Sequence, residues 1–579
     1  MEEDRPPAHL LYSRHLEGGD PKGTARALWG MIPATMSDAY GLLSEVRKGY
    51  GEASDALEEL RREMKGQLRR LGILTSKAEE NIDRMDRGVV EGGHQPVILG
   101  GPGLILNKVA YASSLCGLRD DGYVPLLYVA DYDGLQPELA NVRVPSPSPR
   151  GLLVSHPSLQ ELEGTPIWNT PNPPEAWLRE TVDRIRGNYR GLLRGEKPRV
   201  QERALQNLSH AVTIIKEAYH STENVSDWST KILGGLVNLE TDMGVPILQF
   251  SAPRARSIFQ PGYELLLSEP NRSGFIEATN KATGLIEGTG YRSGIGLRPG
   301  DYVPFFLECP GKRCTRTRVE LKYRRAPGSS SASVSGRCPR CEEIHEFSFD
   351  ANNPDLSEIA DMISPRVDSR QVVVNSVIPI LAHIGGPGET SYYAEVIPAA
   401  RALRVPFPVF LRYTRTFYNT PWNERRARGL EKRGLPTLMS GDLFGALSRW
   451  VEARNSGDGA GLAAAQSRIR SSIEEAYERL LERFGALESE IETIKVQLRE
   501  AEDRSALISL MREKQKEAHE IEAYLSSAFG RFSPERFGQE VSWAWLDLAV
   551  ASGVGDLMGA YLREYNGHTP NSSMFFVNL

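Results

Sequence analysis

The sequence has few cysteines, no excess of positive charge and no long hydrophobic run. Only five of its 579 residues are cysteine, too few for a disulfide scaffold. Its 69 lysines and arginines are outnumbered by 75 aspartates and glutamates, and the net charge of −6 excludes a global attraction to nucleic acid. With 40% hydrophobic and 25% charged residues, the composition is that of a soluble globular chain.

Signals for secretion or membrane insertion are also absent. The first residues, MEEDRPPAHL, are acidic and contain no apolar run, unlike a secretory leader. The longest apolar stretch, Ser542 to Leu562, contains Asp547 and Asp556, which is typical of a packed helix rather than a membrane span. We therefore expect a cytoplasmic protein with no membrane partner.

Alternating helical and apolar segments predict an α/β fold with a parallel sheet. The segment YVPLLYVADYDG is a continuous apolar run that ends in acidic residues, as expected of a buried parallel strand. Further apolar runs at 245–250, 372–374, 378–384 and 407–411 extend the alternation. Before them, residues 36–85 have helical periodicity, with Leu57, Leu60, Met64, Leu68 and Leu71 on one face.

A heptad pattern predicts a coiled coil near the C-terminal end. Apolar residues alternate at gaps of four and three, at Ile473, Tyr477, Leu480, Phe484, Leu487, Ile491, Ile494, Leu498 and Ala501. A second helical stripe follows after residue 505, so the segment is either a hairpin or one long interrupted helix. Its exposed seam must pair with its own returning helix or with another subunit, and we favour a homodimer.

Four cysteines predict a structural zinc site. Cys309 and Cys314 are followed, after a serine-rich stretch, by Cys338 and Cys341 in a CPRC knuckle, and four thiolates close a tetrahedral site. His345 lies close enough in sequence to replace one ligand. The basic residues around Cys314 (Arg313, Arg316, Arg318, Lys322, Arg324 and Arg325) either form a solvated hairpin face, which we favour, or contact phosphates.

Two glycine-rich turns follow apolar runs, in GGHQPVILGGPG and in IGGPGETSYY. Backbone amides at a helix start bind anions, but glycines are also selected for tight turns with positive φ, and the sequence leaves both readings open. Beside the turns, His94 with Gln95, and Asp131 with Asp133, offer a general base and ligands for a cation or an ammonium group.

These motifs resemble one enzyme family. The stretch GHQPVILGGPGLILNK resembles the opening motif of BshC, the cysteine-adding enzyme of bacillithiol synthesis. The segments ISPRVDSRQ, IPILAHIGGPGETSYYAEV and VPFPVF are similar, in the same order, to that family's SPN-x-x-LRP segment, its YIGGPGE-x-AY signature and its VPFPV strand. YVADYDGLQPELAN resembles its E-D-H-D motif.

The resemblance implies a Rossmann-like parallel sheet core, akin to class I synthetases and nucleotidyltransferases, with a C-terminal α-helical coiled coil. To this core we add the zinc-binding module as an insertion. We expect N-terminal helices and the first part of the core at 1–300, the zinc ribbon at 301–350, the second part of the core at 351–465, the coiled coil at 466–530 and a segment that packs back on the core at 531–579.

The resemblance also implies a ligase that joins cysteine, or another amino acid, to the amine of a sugar-derived acceptor such as glucosaminyl-malate. Its substrates would be an amino acid, an amino-sugar conjugate and a nucleotide, with ATP and Mg²⁺ as candidate cofactors beside structural Zn²⁺. We assign the catalytic set to His94, Gln95, Asp131 and Asp133. The substrate or nucleotide contacts are assigned to Gly101, Pro102, Gly103, Lys108, Arg370, Gly385, Gly386, Gly388 and Glu389.

The sequence departs from the family pattern at several positions. Ala130 and Tyr132 stand where the family has Glu and His, and His94 stands where it has Gln. The four-cysteine insertion is a further difference. The alternative is therefore a catalytically decayed binding or scaffold protein, which recruits a partner through the zinc module and the coiled coil.

Overall fold

The computed structural model describes residues 5–20, 22–52, 54–312, 314–500, 504–530 and 538–578. Two sheets dominate these residues, one parallel and one antiparallel. The strands, in chain order, are β1 Val89–His94, β2 Val124–Val129, β3 Asn141–Val144, β4 Leu152–Ser155, β5 Ile247–Gln249, β6 Tyr302–Glu308, β7 Arg318–Arg325, β8 Ser331–Arg337, β9 Ile344–Asp350, β10 Ile363–Pro365, β11 Ile380–Gly385, β12 Val409–Arg412, β13 Arg415–Asn419 and β14 Met574–Asn578.

Helices cover both faces of the parallel sheet and form the C-terminal part. They are α1 His9–Leu16, α2 Thr24–Trp29, α3 Met36–Lys48, α4 Asp55–Leu71, α5 Ser76–Asp83, α6 Leu104–Cys116, α7 Pro137–Ala140, α8 Leu159–Leu162, α9 Glu175–Leu192, α10 Pro198–His220, α11 Val225–Gly234, α12 Pro253–Ile258, α13 Gln260–Leu267, α14 Asn271–Gly288, α15 Arg370–Asn375, α16 Pro387–Ala402, α17 Pro421–Glu431, α18 Gly441–Ser456, α19 Gly459–Glu500, α20 Ser505–Tyr524, α21 Gln539–Ser542, α22 Trp545–Ser552 and α23 Leu557–Leu562. Among these described helices, none combines the length and apolar character that a membrane crossing requires.

The parallel sheet has the strand order β12-β11-β1-β2-β5, with every neighbouring pair parallel. Renumbered by their order in the chain, these five strands run 3-2-1-4-5 from β5 to β12, which is the order of a doubly wound Rossmann-like sheet. The predicted fold class is thus confirmed. The strand order reverses between β1 and β11, so the crevice for a ligand is expected at the carboxyl ends of these two strands.

Most of the predicted elements form as expected. The apolar stripe of α4 is buried, with Leu57, Leu60, Met64, Leu68 and Leu71 each at most 1% exposed. The expectation of a strand at 372–374 is wrong, because these valines lie in the short helix α15. A run of three apolar residues is compatible with a buried strand and with a buried helix, so the sequence could not distinguish the two structures.

The antiparallel sheet has the order β10-β6-β7-β8-β9 and spans Tyr302 to Pro365, so it continues past the boundary expected at residue 350. Its β6–β7 and β8–β9 loops carry the four cysteines at one end of the sheet. The sheet docks on the loop after α8, where Trp168 Nε1 donates to Glu308 Oε2 at 3.0 Å and Thr165 Oγ1 donates to Thr315 Oγ1 at 2.8 Å.

The heptad segment forms an intramolecular hairpin of α19 and α20. Arg483 pairs with Glu517 at 2.9 Å, and Lys514 pairs with Glu490 at 2.7 Å across the two helices. The seam residues Ile473, Leu480, Leu487, Ile491 and Ile494 are buried. Ala501, the last residue of the predicted register, lies outside the described residues. The returning helix therefore covers much of the seam within one chain.

The last described segment packs on α6 through a buried carboxyl group. Glu540 Oε1 accepts hydrogen bonds from Thr416 N at 2.9 Å and from Asn107 Nδ2 at 3.1 Å. Burial raises the pKa of Glu540 to about 8, against the opposing effect of these donors. The group is therefore largely protonated at neutral pH in the folded protein.

Glu540 makes stability depend on pH. Between the usual pKa of 4.5 and the raised value of about 8, the folded protein keeps a proton that the unfolded chain releases, so stability falls as pH rises through this window. Glu540→Gln should reduce this loss, which is about 5 kcal/mol at its upper end. Urea unfolding of wild type and variant between pH 5 and 9 measures the difference.

The matched control is Glu488→Gln on the exposed face of α19, which should leave the slope unchanged. An identical pH dependence in Glu540→Gln and wild type would show that the carboxyl group is ionised in the folded state.

Candidate active site

A cavity of about 670 Å³ lies at the carboxyl edge of the parallel sheet, where the strand order reverses. Its lining comes from the ends of β1 and β2, the start of α16, and the antiparallel sheet. The lining residues are Gly93, His94, Gln95, Leu104, Lys108, Tyr128, Ala130, Tyr132, Asp133, Arg298, Phe306, Arg318, Arg366, Val367, Arg370, Gly386, Pro387, Gly388, Glu389, Tyr392, Tyr413 and Val541. A cleft of this size suits a small organic substrate.

Lys108 links the end of β1 to the start of α16 at the floor of the cavity. Its Nζ atom donates to Gly93 O at 2.8 Å and pairs with Glu389 Oε2 at 2.6 Å. Helix α6 can approach β1 because Gly92 has no side chain, since a Cβ atom there would lie 3.2 Å from Lys108 Cβ. The glycines of the first motif thus serve close packing of a buried lysine.

The second glycine-rich turn leads from β11 into α16 and lines the cavity at Gly386 and Gly388. Glu389 caps the helix, because its Oε2 atom accepts from Gly386 N at 2.6 Å. Burial raises the pKa of Glu389, but Lys108 and His383 outweigh it and hold the pKa well below its usual range. A Cβ atom on Gly385 would lie 2.6 Å from the ring of Phe410, so glycine is required here for space and not for a positive φ.

A buried network of charges lies behind this turn. Arg370 pairs with Glu91, and Arg370 Nη2 donates a hydrogen bond to Tyr393 Oη at 2.9 Å. His383 bridges two carboxylates, with Nε2 3.2 Å from Glu389 Oε1 and Nδ1 3.6 Å from Glu91 Oε1. Burial opposes ionisation of Glu91, yet Arg370 and His383 lower its pKa to about 2. The network keeps the cavity floor ionised and rigid.

His94 lies at the tip of β1 with one ring nitrogen engaged. Its Nδ1 atom is 2.7 Å from Gln95 O, and because a carbonyl only accepts, Nδ1 carries the proton and Nε2 has the lone pair. Burial, and then the charge of Lys108, lower the pKa of His94 to about 4. The imidazole is therefore neutral at pH 7 and can accept a proton.

Gln95 and Asp133 form the neighbouring wall of the cavity together with Arg318, which the assignment of site residues from the sequence did not include. Gln95 Nε2 donates to Asp133 Oδ2 at 3.0 Å, and Arg318 Nη1 donates to Asp133 Oδ1 at 2.8 Å. The sequence predicted that Arg318 lies on a solvated hairpin face. Arg324 and Arg325 of the same strand are exposed, as that prediction requires, but Arg318 is not. Alternation along β7 gave no signal for Arg318, because it places this residue on the same face as the exposed Glu320, Lys322 and Arg324.

Asp131 does not share the site with His94, contrary to expectation. Its carboxylate accepts from Ser251 N at 2.8 Å and from Ser226 Oγ at 3.0 Å, and it is not among the described residues that line the cavity. Burial raises the pKa of Asp131 to about 6, against the effects of Ser251 and Arg256. The strand tip thus sends Asp133 to the cavity and Asp131 into the core.

The first glycine-rich turn also lies away from the cavity. Gly101 N donates to Ile98 O at 3.2 Å, Gly103 N donates to Trp543 O at 3.1 Å, and Pro102 has no N–H group. Gly101 adopts a positive φ of 78°. The expected anion contacts of these three residues are therefore not available, and the turn serves conformation and packing against the C-terminal segment.

The antiparallel sheet supplies the opposite wall, which the sequence did not predict. The guanidinium groups of Arg318 and Arg366 lie 4.2 Å and 4.4 Å from the ring centre of Phe306. Arg298 pairs with Asp368 at 2.7 Å nearby. These cations meet only through long-range folding of three separate segments, so local patterns gave no signal.

The four predicted metal ligands come together at the end of the antiparallel sheet. Cys309 Sγ is 3.5 Å from Cys341 Sγ, Cys314 Sγ is 3.7 Å from Cys338 Sγ, and all four sulfurs lie within 4.8 Å of one another. Thiolates on a tetrahedral zinc, each about 2.3 Å from the metal, are about 3.8 Å apart. His345 Nε2 is 3.3 Å from Cys309 Sγ, so the cluster could hold a metal ion with His345 in support.

We expect one zinc per chain in the purified protein, measured by elemental analysis. Cys341→Ser should lose most of the metal and loosen the antiparallel sheet, because three thiolates leave an open and weaker site. Cys116→Ala is the control, since Cys116 lies in α6 outside the cluster and its loss should leave the metal content unchanged. Well under one zinc per wild-type chain would contradict the assignment.

Comparison with known proteins agrees with this geometry. The family model described as "Bacillithiol biosynthesis BshC, N-terminal Rossmann-like domain" matches residues 199–413, which include β11, the second glycine-rich turn and the antiparallel sheet. Three relatives carry the name "Putative cysteine ligase BshC". The protein of Carboxydothermus hydrogenoformans is 23% identical over 437 residues, which is 73% of this chain and 72% of the relative.

The relative from Solibacter usitatus is 25% identical over 349 residues, covering 59% of this chain and 56% of its own. That from Desulforamulus reducens is 23% identical over 331 residues, covering 55% and 53%. The chain therefore spans just over half of the length of these two relatives. On the family model, the three relatives and the Rossmann-like order of the sheet, the chain is similar to the proteins of the BshC family.

Proposed function

We propose that the protein is a ligase that joins cysteine, or another amino acid, to the amine of a sugar-derived acceptor such as glucosaminyl-malate. The observation that carries the proposal is the single cavity at the sheet edge, which brings a neutral histidine together with Gln95, Asp133, Lys108 and Glu389. The names of the relatives supply the reaction class, ligation of cysteine, and the description of the family model supplies the pathway, bacillithiol biosynthesis.

His94 is proposed as the general base. After ATP has activated the carboxylate, the amine of the acceptor attacks the carboxyl carbon of the amino acid. The C–N bond forms as the C–O bond to the phosphoryl or adenylyl leaving group breaks, and the amine must lose a proton. The free Nε2 of His94 can accept that proton because Nδ1 is held by Gln95 O. An anionic substrate beside the ring would raise the pKa of His94 toward its usual value and make it a stronger base.

Asp133 is proposed to hold the ammonium group of a substrate. Its carboxylate is one of two acidic side chains on the cavity lining, beside Glu389, whose oxygens are occupied by Lys108, His383 and Gly386. Asp133 keeps Gln95 and Arg318 as partners, and both can shift to a bound substrate. Asp131 is not part of the proposed set.

The second glycine-rich turn is proposed to stabilise charge on the reacting carboxyl group. The start of α16, the positive end of its helix dipole, lines the cavity at Gly386, Pro387, Gly388 and Glu389, and Lys108 adds a positive charge. A free carboxylate must be activated before an amine displaces its oxygen. ATP with Mg²⁺ is the proposed activating reagent, and a substrate screen with and without it is the direct check.

The anionic part of the acceptor is proposed to bind the wall formed by Arg298, Arg318 and Arg366. Each guanidinium already has a carboxylate neighbour, so a substrate carboxylate would share these donors rather than meet an unpaired charge. Phe306 lies between two of them and offers an apolar surface to the sugar ring.

The reaction is tested by incubating the pure protein with cysteine and glucosaminyl-malate, with and without ATP and Mg²⁺, and by following the mass of the condensed product. Product formation supports the ligase. Substrate binding without any product, over a panel of amino acids and amines, would support the alternative of a decayed binding protein.

A homodimer through the α19–α20 hairpin also remains a proposal. Its support is that Leu481, Val496 and Leu510 stay 48%, 54% and 41% exposed after the hairpin has formed.

His94→Ala should lower turnover by at least about 100-fold without unfolding the protein, because a general base contributes about 10²–10⁴ in rate. Because the pKa of His94 is about 4, the kcat/KM of the wild type should fall only as the pH approaches 4, and not near pH 6.5. The control is His220→Ala, at the exposed end of α10. Equal turnover in His94→Ala and the control would remove His94 from the mechanism.

Arg318→Ala should raise the KM for the acceptor by about tenfold or more, since a lost charge-assisted contact costs about 1.5–3 kcal/mol. The KM for cysteine should change less. Arg324→Ala removes an exposed guanidinium from the same strand and should leave both constants unchanged. If the two variants behave alike, the antiparallel sheet has no part in acceptor binding.

A further inference from the structure

The cysteine cluster at the end of the antiparallel sheet consists of two pairs, and each pair joins a buried cysteine to a partly exposed one. Cys309 and Cys338 are both 0% exposed, whereas Cys314 and Cys341 are partly exposed. Cys314 Sγ lies 3.7 Å from Cys338 Sγ, and Cys341 Sγ lies 3.5 Å from Cys309 Sγ. A small molecule in solution therefore has access to one member of each pair, and the second sulfur lies beside the first.

Both sulfur contacts cross from one loop of the sheet to another. Cys309 and Cys314 lie between β6 and β7, whereas Cys338 and Cys341 lie between β8 and β9. The sulfur atoms of a disulfide are about 2.05 Å apart, so each pair has to close by about 1.5 Å to form one. Oxidation would replace a shared cluster by two covalent cross-links, and both loops would have to shift.

The turns beside the two partly exposed cysteines have a backbone conformation that favours glycine. Arg316, two residues after Cys314, has a φ of 62°, and Glu342, directly after Cys341, also has a φ of 62°. Side chains other than glycine adopt this conformation where the surroundings hold them in it. A rearrangement of the cysteines lets these turns relax. Arg316 is two residues away from Arg318, which lines the proposed substrate cavity at the sheet edge.

The loop between α8 and α9 connects the cluster to the tip of β2. On one side, Thr165 Oγ1 donates to Thr315 Oγ1 at 2.8 Å, and Asn169 Nδ2 donates to Thr315 O at 3.2 Å. On the other side, Ile167 N donates to Asp133 O at 2.9 Å. Thr315 directly follows a cysteine of the cluster, so this path from the cluster to the substrate cavity is short.

Two arginines strengthen the same connection. Arg318 Nη1 donates to Asp133 Oδ1 at 2.8 Å, across from β7 to the cavity wall. Arg340, inside the CPRC knuckle, donates from Nη2 to Glu161 O of α8 at 2.9 Å. Both cysteine loops are thus attached to the region that positions Asp133, and a shift of either loop is transmitted to the cavity wall.

We propose that the four cysteines are an exchange site for a low-molecular-weight disulfide, and that their oxidation moves Arg318 away from the wall of the substrate cavity. Cys314, as a thiolate, attacks one sulfur of the small disulfide, forms a mixed disulfide and releases one small thiolate. The thiolate of Cys338 then attacks the Cys314 sulfur, forms the protein disulfide and releases the second small thiolate. Cys341 and Cys309 react with a second small disulfide in the same way.

Each protein pair loses two electrons in this exchange, and each small disulfide gains two. Two protein disulfides leave no thiolate that could hold a metal ion. The exchange itself follows from the arrangement of the cluster, whereas its effect on acceptor binding rests on the proposed function. The two parts therefore have separate tests.

The exchange is tested on Cys116→Ala, in which the cluster contains all of the remaining cysteines. Incubation with millimolar oxidised glutathione should remove all four thiols of the cluster, counted with a chromogenic thiol reagent after denaturation. Mass spectrometry should find the Cys314–Cys338 cross-link, and dithiothreitol should restore the thiols. Zinc that the protein holds should be released as the thiols disappear. A full thiol count after this incubation would overturn the proposal.

A second variant tests the order of attack. With Cys338→Ser added to Cys116→Ala, the mixed disulfide on Cys314 has lost the partner that resolves it. Mass spectrometry should then find one glutathione bound to Cys314. Absence of glutathione from this cysteine, while the parent variant still loses its thiols, would contradict the assigned attack by the partly exposed sulfur.

The fluorescence of Trp168 tests the connection to the cavity without any substrate. Its Nε1 atom donates to Glu308 Oε2 at 3.0 Å, and its backbone N donates to Asp131 O at 3.0 Å. Oxidation of the wild type should shift the tryptophan emission, and Trp168→Phe should lose that shift. Emission of the wild type that is identical before and after oxidation would show that the cluster does not move this loop.

The kinetic test compares the KM for the acceptor before and after oxidation. Oxidation of the wild type should raise this KM by about tenfold or more, as loss of the Arg318 contact does, with a smaller change in kcat. Arg318→Ala has already lost the contact, so oxidation should change its KM little. The control Arg324→Ala, on the exposed face of β7, should respond as the wild type does.

An equal rise in KM on oxidation of Arg318→Ala and the wild type would overturn the role of Arg318 in the switch. If no acceptor is turned over at all, the proposed function fails. The thiol count and the Trp168 emission still decide whether the cluster is an exchange site that moves the cavity wall.

Discussion

The ion pair between Lys108 and Glu389 is the interaction on which the site depends. Lys108 belongs to α6 and Glu389 to α16, the helices that follow the two central strands of the parallel sheet. The ammonium group also binds Gly93 O, so one buried cation links the tip of β1 to the start of α16. Removing either partner would leave an unpaired buried charge, which typically costs about 3–5 kcal/mol. The geometry of the cavity floor follows from this constraint.

The cysteine-bearing sheet has a larger role than an attached module would have. Arg318 reaches from β7 to Asp133 at the tip of β2, and the loop at Trp168 hydrogen-bonds to Asp131 O and to Glu308 on its two sides. A metal ion at the cysteine cluster would order the loop that precedes Arg318. A metal ion held by the four cysteines would thus be linked to the shape of the substrate cavity through a short path of hydrogen bonds.

The two glycine-rich turns have similar sequences and different uses. In the first, Gly101 has a positive φ and the amides of Gly101 and Gly103 are occupied within the protein. In the second, Gly385 and Gly386 are required for close approach to Phe410 and Tyr413, and the helix start faces the cavity. Sequence similarity alone could not separate these uses, because both place glycine and proline between a strand and a helix.

The sequence by itself determined the sheet, the buried face of α4, the four-cysteine cluster, the helical hairpin as one of two options, and the presence of His94, Gln95, Asp133, Lys108, Arg370 and Glu389 near the central strands. These features have local signals, namely hydrophobic period, ligand spacing and motif order. Only the tertiary structure decided that Val372 to Val374 form a helix, that Asp131 turns into the core, and that Arg318 lines the substrate cavity. The reason is physical: the environment of a side chain at a strand end or on a hairpin is set by segments far away in the chain, and no local pattern records which segments those are.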